Sequence, residues 1–147
     1  MKFHLLHYEI PQLQSHYFTP TINYIKLKSF SPLLQAFGSI LEHLDFAHNK
    51  ISHLPVEFYH SLTNLKTFDL SGNHFVEFDV SFLHHVSELK IEDSPFLKSL
   101  EYSQHHLTNF QTFSAKNSTR LKEFCPWIIW SSPLLHKLNL GKKIFSN

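Results

Sequence analysis

One apolar spacing recurs along this chain and leaves it very few ways to fold. Its clearest copy runs Leu41, Leu44, Phe46, Asn49, Ile51, Leu54, and it returns about 24 residues later as Leu65, Phe68, Leu70, Asn73, Phe75, Phe78. Both copies follow L-x-x-L-x-L-x-x-N-x-L. Counting the first apolar residue as position 1, positions 4 to 6 alternate with the period of a strand that buries one face. A unit this short cannot bury that face alone and must stack on copies of itself. The expected product is a solenoid with a parallel sheet along one side.

Position 1 recurs at Ile22, Leu41, Leu65, Val86, Phe110 and Leu135, in steps of 19, 24, 21, 24 and 25 residues. The inward pairs at positions 4 and 6 are Ile25/Leu27, Leu44/Phe46, Phe68/Leu70, Leu89/Ile91, Phe113/Ala115 and Leu138/Leu140. A partial copy places Phe3 and Leu5 as a further pair, so six to seven repeats are expected. The short steps end on Phe37 and Phe82, each four residues before the next position 1, whereas Phe58 lies seven before Leu65. About one helical turn is missing from the outer segment there.

Asn49 and Asn73 stand at position 9, where a side-chain amide can serve both backbone donors and acceptors as the chain leaves the sheet. Ser94 and Ser118 take that place in later repeats with a shorter reach. Phe30 and Lys143 cannot do the same, so the ladder is expected to stop before each end. In the later repeats Leu97/Leu100 and Leu121/Phe124 fall one residue later than Ile51/Leu54 and Phe75/Phe78. Pro126 and Pro133 bracket the run from Trp127 to Trp130 and exclude a long helix.

This pattern resembles the leucine-rich repeat family, in particular the typical class of about 24 residues found in Toll-like receptors and other extracellular leucine-rich repeat proteins. The block from Leu54-Pro55 through Phe58 and Leu62-Thr63-Asn64-Leu65 to Phe68-Asp69-Leu70-Ser71-Gly72-Asn73 carries the likeness. The resemblance implies a curved right-handed solenoid, with a parallel sheet on its concave face and short helical or irregular segments on its convex face. It also implies a recognition module with receptor-like or innate-immune signalling roles. The cysteine-rich caps of that class are absent from residues 1–147, which read as a single repeat domain or a fragment of a longer array. A structural or degenerate repeat fragment and a cytosolic adaptor or scaffold are the alternatives.

Positions 3, 5, 7 and 8 should point away from the core. The candidate binding face comprises Lys26, His43, Asp45, Thr67, Asp69, Glu88, Lys90, Glu92, Asp93 and Lys116. Its centre is acidic and its flanks basic, a mixture that suits a protein partner better than a polyanion. The formal net charge of +1, from 13 basic and 12 acidic residues, provides no chain-wide field for nucleic acid or an anionic membrane.

Chemistry finds little support. The 13 histidines include His84-His85 and His105-His106 but lack the spacing that converges ligands on a metal. Cys125 is the single cysteine, which excludes an internal disulfide framework. Cys125 with His136 has no third residue to orient it as a nucleophile and base. No enzymatic activity and no cofactor are expected. Asn117-Ser118-Thr119 fits the N-glycosylation acceptor pattern, with Asn117 at exposed position 8.

No run approaches 18 apolar residues, and histidines and a glutamate interrupt the N-terminal stretch where a signal-peptide core would stand. The compartment is extracellular or cell-surface if the chain belongs to a longer receptor-like protein, and cytoplasmic if it is complete. Uncapped solenoid ends expose apolar side chains and strand edges, so self-association through them is a further expectation.

Overall fold

The computed structural model describes residues 17–18, 38–55, 60–80, 83–101, 107–124 and 126–141. Among them, nine short strands form two parallel sheets. The larger contains β1 (Tyr17–Phe18), β2 (His43–Asp45), β3 (Thr67–Asp69), β5 (Glu88–Lys90), β7 (Thr112–Ser114) and β9 (Lys137–Asn139), in that spatial order. The smaller contains β4 (Glu77–Asp79), β6 (Ser99–Glu101) and β8 (Glu123–Phe124).

Pairing is in register by repeat position. Leu44, Phe68, Leu89, Phe113 and Leu138 are consecutive partners at position 4. Just before each strand, the position 2 carbonyls of Glu42, Lys66, Ser87 and Gln111 each accept two successive N–H groups from the following repeat. This shared acceptor recurs at the four junctions from β2 to β9 and locks those repeats to the same position. Beneath the sheet, Leu44, Phe46, Phe68, Leu70, Leu89, Ile91, Phe113 and Ala115 form the expected buried column. The Phe46 and Phe68 rings meet edge to face at 6.2 Å, an arrangement aromatic pairs favour.

One expected strand is displaced. The partner of β2 is Tyr17–Phe18, with Phe18 opposite Leu44, and not the segment carrying Ile25 and Leu27. The first step is therefore 26 residues rather than 19. With Phe18 at position 4, positions 1 and 6 fall on Ser15 and Pro20, so this alignment departs from the apolar spacing that marked Ile22, Ile25 and Leu27. Ile22, Ile25, Leu27, Phe30, Lys143 and the Phe3/Leu5 copy lie outside the described residues.

The smaller sheet is the other departure, because a second strand per repeat was not expected opposite the first. Phe78 pairs with Leu100 and Leu100 with Phe124. The one-residue offset in the sequence is taken up before these strands. Leu97 N–H donates to Ser94 O at 3.3 Å, and Leu121 N–H donates to Ser118 O at 3.0 Å. These tight turns absorb the extra residue and restore pairing.

Between the two sheets the chain turns through a column of left-handed residues at position 8: His48, Gly72, Asp93 and Asn117, with φ between 49° and 66°. Glycine, and to a lesser degree Asn, Asp and His, tolerate this region. Gly72 is required twice over, since a Cβ there would also collide with the His48 ring.

The position 9 ladder sits just beyond that column. Asn73 is fully buried. Its Oδ1 accepts the N–H groups of Asn49 at 3.1 Å and Ile51 at 2.8 Å. Its Nδ2 donates to Phe46 O and Leu70 O, both at 2.8 Å. One amide thus closes its own turn and the turn of the repeat before. Asn49 is half-buried, and its Nδ2 donates to the carbonyls of Phe46 and Ala47. Ser118 repeats the bridge with fewer bonds, accepting from Ser94 N–H and donating to Ile91 O at 2.9 Å. Ser94 is buried and donates only within its own turn, to Glu92 O.

Two stability outcomes follow from these contacts. Phe68→Ala should cost about 3–5 kcal/mol in denaturant unfolding, because the cavity opens between two repeats that cannot collapse independently. Asn73→Ala should cost roughly 2–4 kcal/mol, since it strands buried backbone donors and acceptors in two repeats at once. Lys98→Ala, at an exposed site, serves as the reference within about 0.5 kcal/mol.

Candidate binding face

Because β2, β3, β5 and β7 bury their central residues and Leu138 of β9 is partly buried, the residues on either side rise from the opposite surface of the larger sheet. Register aligns them in two rows. The position 3 row reads His43, Thr67, Glu88, Thr112, Lys137, and the position 5 row reads Asp45, Asp69, Lys90, Ser114, Asn139. The structure thus brings His43, Asp45, Thr67, Asp69, Glu88 and Lys90 onto one continuous surface. Glu92, Asp93 and Lys116 lie along its edge at positions 7 and 8, and Lys26 lies outside the described residues.

The rows are cross-linked by side chains from successive repeats. His43 Nδ1 and Thr67 Oγ1 share a hydrogen bond of 2.7 Å. Lys66 and Glu42 form an ion pair of 2.7 Å beside them. Lys90 Nζ lies 3.2 Å from Glu88 Oε1. The hydrogen bond that Lys90 donates to Glu88 raises the Lys90 pKa above the ordinary lysine value, partial burial opposes the rise, and the charges of Glu88, Asp69 and Glu92 reinforce it. The middle of the face is therefore a carboxylate-rich field around one lysine.

Several residues expected to be free for a ligand also hold the fold. Asp45 Oδ1 accepts Ala47 N–H at 2.8 Å, and Asp69 Oδ1 accepts Ser71 N–H at 2.9 Å. Asn139 accepts Gly141 N–H in the same way at 3.2 Å. An Asx side chain at position 5 thus starts the turn out of the sheet. Asp45 is exposed, whereas Asp69 is half-buried by its neighbours.

Ser114, expected on the open face, is instead buried. Its hydroxyl donates to Glu92 Oε1 and fixes that carboxylate above it. The Glu92 backbone is held as well, its N–H donating to Ser71 Oγ at 3.1 Å. These serine contacts were not read from the sequence. The Asx turns had a signal in the Asp45-x-Ala47, Asp69-x-Ser71 and Asn139-x-Gly141 spacing. Ser114 had none, because its cover comes from another repeat.

Asn117 is exposed in the left-handed turn, and its Nδ2 donates to Asp93 Oδ1 at 2.9 Å. His84 and His85 are exposed with ring centroids 4.0 Å apart. Cys125 and the pair His105-His106 lie outside the described residues. Among the described residues, no group of three or more His, Cys, Asp or Glu side chains is placed to hold a metal ion.

Residues 41–62 and 64–86 match the family model described as Leucine Rich Repeat. No curated protein matches the chain.

The shifted lysine gives a direct readout of the field. A folded-state pKa raised above the unfolded value means that the Lys90 contribution is complete below the ordinary lysine range and is lost as pH rises through the raised value. Glu88→Gln should move the Lys90 pKa downward, because it removes the largest favourable contributor. An NMR titration of the Lys90 side chain between neutral and strongly alkaline pH checks the direction.

Proposed function

We propose that this chain, whose residues 41–62 and 64–86 match leucine-rich repeats that suggest a protein–protein interaction module, recognises a protein partner through the open face of its larger sheet. The observation that carries this reading is the pair of aligned rows from His43 to Lys90, which form a continuous mixed-charge surface. Their side chains are partly pre-ordered by the His43–Thr67 and Lys90–Glu88 contacts. Pre-ordering lowers the entropy lost on association. The uneven distribution of signs along the rows favours one docking register over others.

The partner contacts proposed for this face are His43, Asp45, Thr67, Asp69, Glu88 and Lys90, with Glu92, Asp93 and Lys116 at its edge. Lys26 is proposed as their N-terminal continuation. A receptor-like or innate-immune setting is the finer version of the same proposal. It rests on the likeness of the 41–78 repeats to the typical class. A glycan on Asn117 would stand at the edge of the face if the parent protein enters the secretory route.

Charge must be separated from folding in the test, because Asp45 and Asp69 also start turns. Asn keeps the side-chain oxygen that accepts the turn N–H and removes only the charge. A combined Asp45→Asn, Asp69→Asn and Glu88→Gln variant of the parent protein should keep its thermal transition within a few degrees. It should bind a captured partner on the order of tenfold more weakly at low salt, with the gap narrowing as salt rises. Equal affinity of variant and wild type at low salt would remove this face from the interaction.

A further inference from the structure

We propose that a narrow basic stripe between the left-handed turns and the smaller sheet is a second docking site, whose occupant is an extended acidic peptide segment of a partner protein. Past the position 9 ladder, successive repeats bury Phe75, Leu97 and Leu121. The residues before and after each buried one are exposed, apart from the half-buried His74. They form two rows: His74, Phe96, Arg120, and beside it Val76, Lys98, Lys122. Register is fixed just downstream, where Glu77 pairs with Ser99 and Ser99 with Glu123. It is fixed within the second row as well, where Lys98 N–H donates to Val76 O at 2.8 Å and Lys122 N–H to Lys98 O at 3.0 Å.

Phe96 stands at the centre of the first row and is 40% exposed. The His74 ring meets it edge to face at 5.0 Å, and the Arg120 guanidinium carbon lies 5.9 Å from its ring centroid. Arg120 is the only arginine of the chain. Stacking on the ring holds its planar fork in place, which lowers the entropy lost when two of its N–H groups grip one carboxylate. Lys98 and Lys122 are exposed beside it, one repeat apart. Among the described residues, none of these three cations stands in an ion pair. A pre-ordered guanidinium and two lysines next to exposed Phe96 and Val76 suit an anionic ligand that also carries an apolar side chain.

The borders of the stripe decide which anion fits. Asp93 is exposed at the turn on one side, and Glu77 and Glu101 are exposed on the smaller sheet on the other. A membrane or a nucleic-acid duplex is broad enough to set its own negative charge against these carboxylates. An extended peptide is one chain wide. Its carboxylates can meet Arg120, Lys98 and Lys122 while an apolar side chain covers Phe96 and Val76. Attraction along the stripe and repulsion beside it hold such a peptide to one line. The stripe shares no residue with the rows from His43 to Lys90.

Because Arg120 is the only arginine, its Nε–H gives a single NMR signal that reports on this stripe alone. The full 147-residue protein is titrated with a glutamate-rich peptide bearing one phenylalanine, and with the same peptide carrying glutamine in place of glutamate. The acidic peptide should shift the Arg120 signal saturably, with an affinity that falls as salt rises, and the glutamine peptide should leave it unmoved. Lys98→Gln with Lys122→Gln keeps the reporter and should weaken binding roughly tenfold. Arg120→Lys keeps the charge but loses the fork, and should weaken binding about fivefold or more by calorimetry. These sites are exposed, so the thermal transition of each variant should match wild type within a few degrees. The Asp45→Asn, Asp69→Asn, Glu88→Gln variant should bind the acidic peptide at least as tightly as wild type, which separates this stripe from the open face of the larger sheet.

An Arg120 signal that stays in place as the acidic peptide is added overturns the proposal. So does an equal response to the glutamine peptide. Binding of an oligothymidylate of matching charge as tightly as the acidic peptide also overturns it, because the stripe would then be a nucleic-acid site.

Discussion

Everything in this fold depends on repeats pairing in register, so that a given position always meets the same position of its neighbour. The shared acceptors at Glu42, Lys66, Ser87 and Gln111 impose this at the four junctions from β2 to β9. Once it holds, each residue type becomes a column. Apolar side chains at positions 4 and 6 become a core, left-handed residues at position 8 become a common turn, and charges at positions 3 and 5 become rows on a surface. No single repeat has any of these features, which is why stability is shared between neighbours.

The ladder at position 9 shows how tightly turn and stack are coupled. Asn73 reaches into the preceding repeat and completes its turn, and Ser118 performs a shortened version of the same bridge. The exchange of Asn for Ser accompanies a change in the following turn, where Ser94–Leu97 and Ser118–Leu121 tighten by hydrogen bonding. A shorter side chain and an extra residue compensate each other, and the second sheet keeps its register as a result.

The open face illustrates a conflict between folding and recognition. Asp45 and Asp69 carry negative charge toward solvent while accepting the N–H groups that start their turns. Glu92 is fixed by Ser114 below and through its backbone by Ser71. Such residues cannot be exchanged freely to suit a ligand. The least constrained variation on this surface belongs to position 3, where His43, Thr67, Glu88, Thr112 and Lys137 follow one another with no repeated turn duty.

Much of the architecture was legible in the sequence because it depends on a period. The spacing from Leu41 to Phe78 fixes parallel strands, a buried column and two rows of outward residues, since stacking leaves no other way to hide those side chains. Three features were decided only by tertiary structure. The choice of Tyr17–Phe18 over the Ile25 segment as the partner of β2 runs against the apolar spacing, whose positions 1 and 6 would there be Ser15 and Pro20. The burial of Ser114 depends on Glu92 reaching it from the preceding repeat, 22 residues away. The exposure of Trp127 and Trp130 depends on which single side chain of a four-residue helix turns inward, and a helix that short has no periodicity to reveal it.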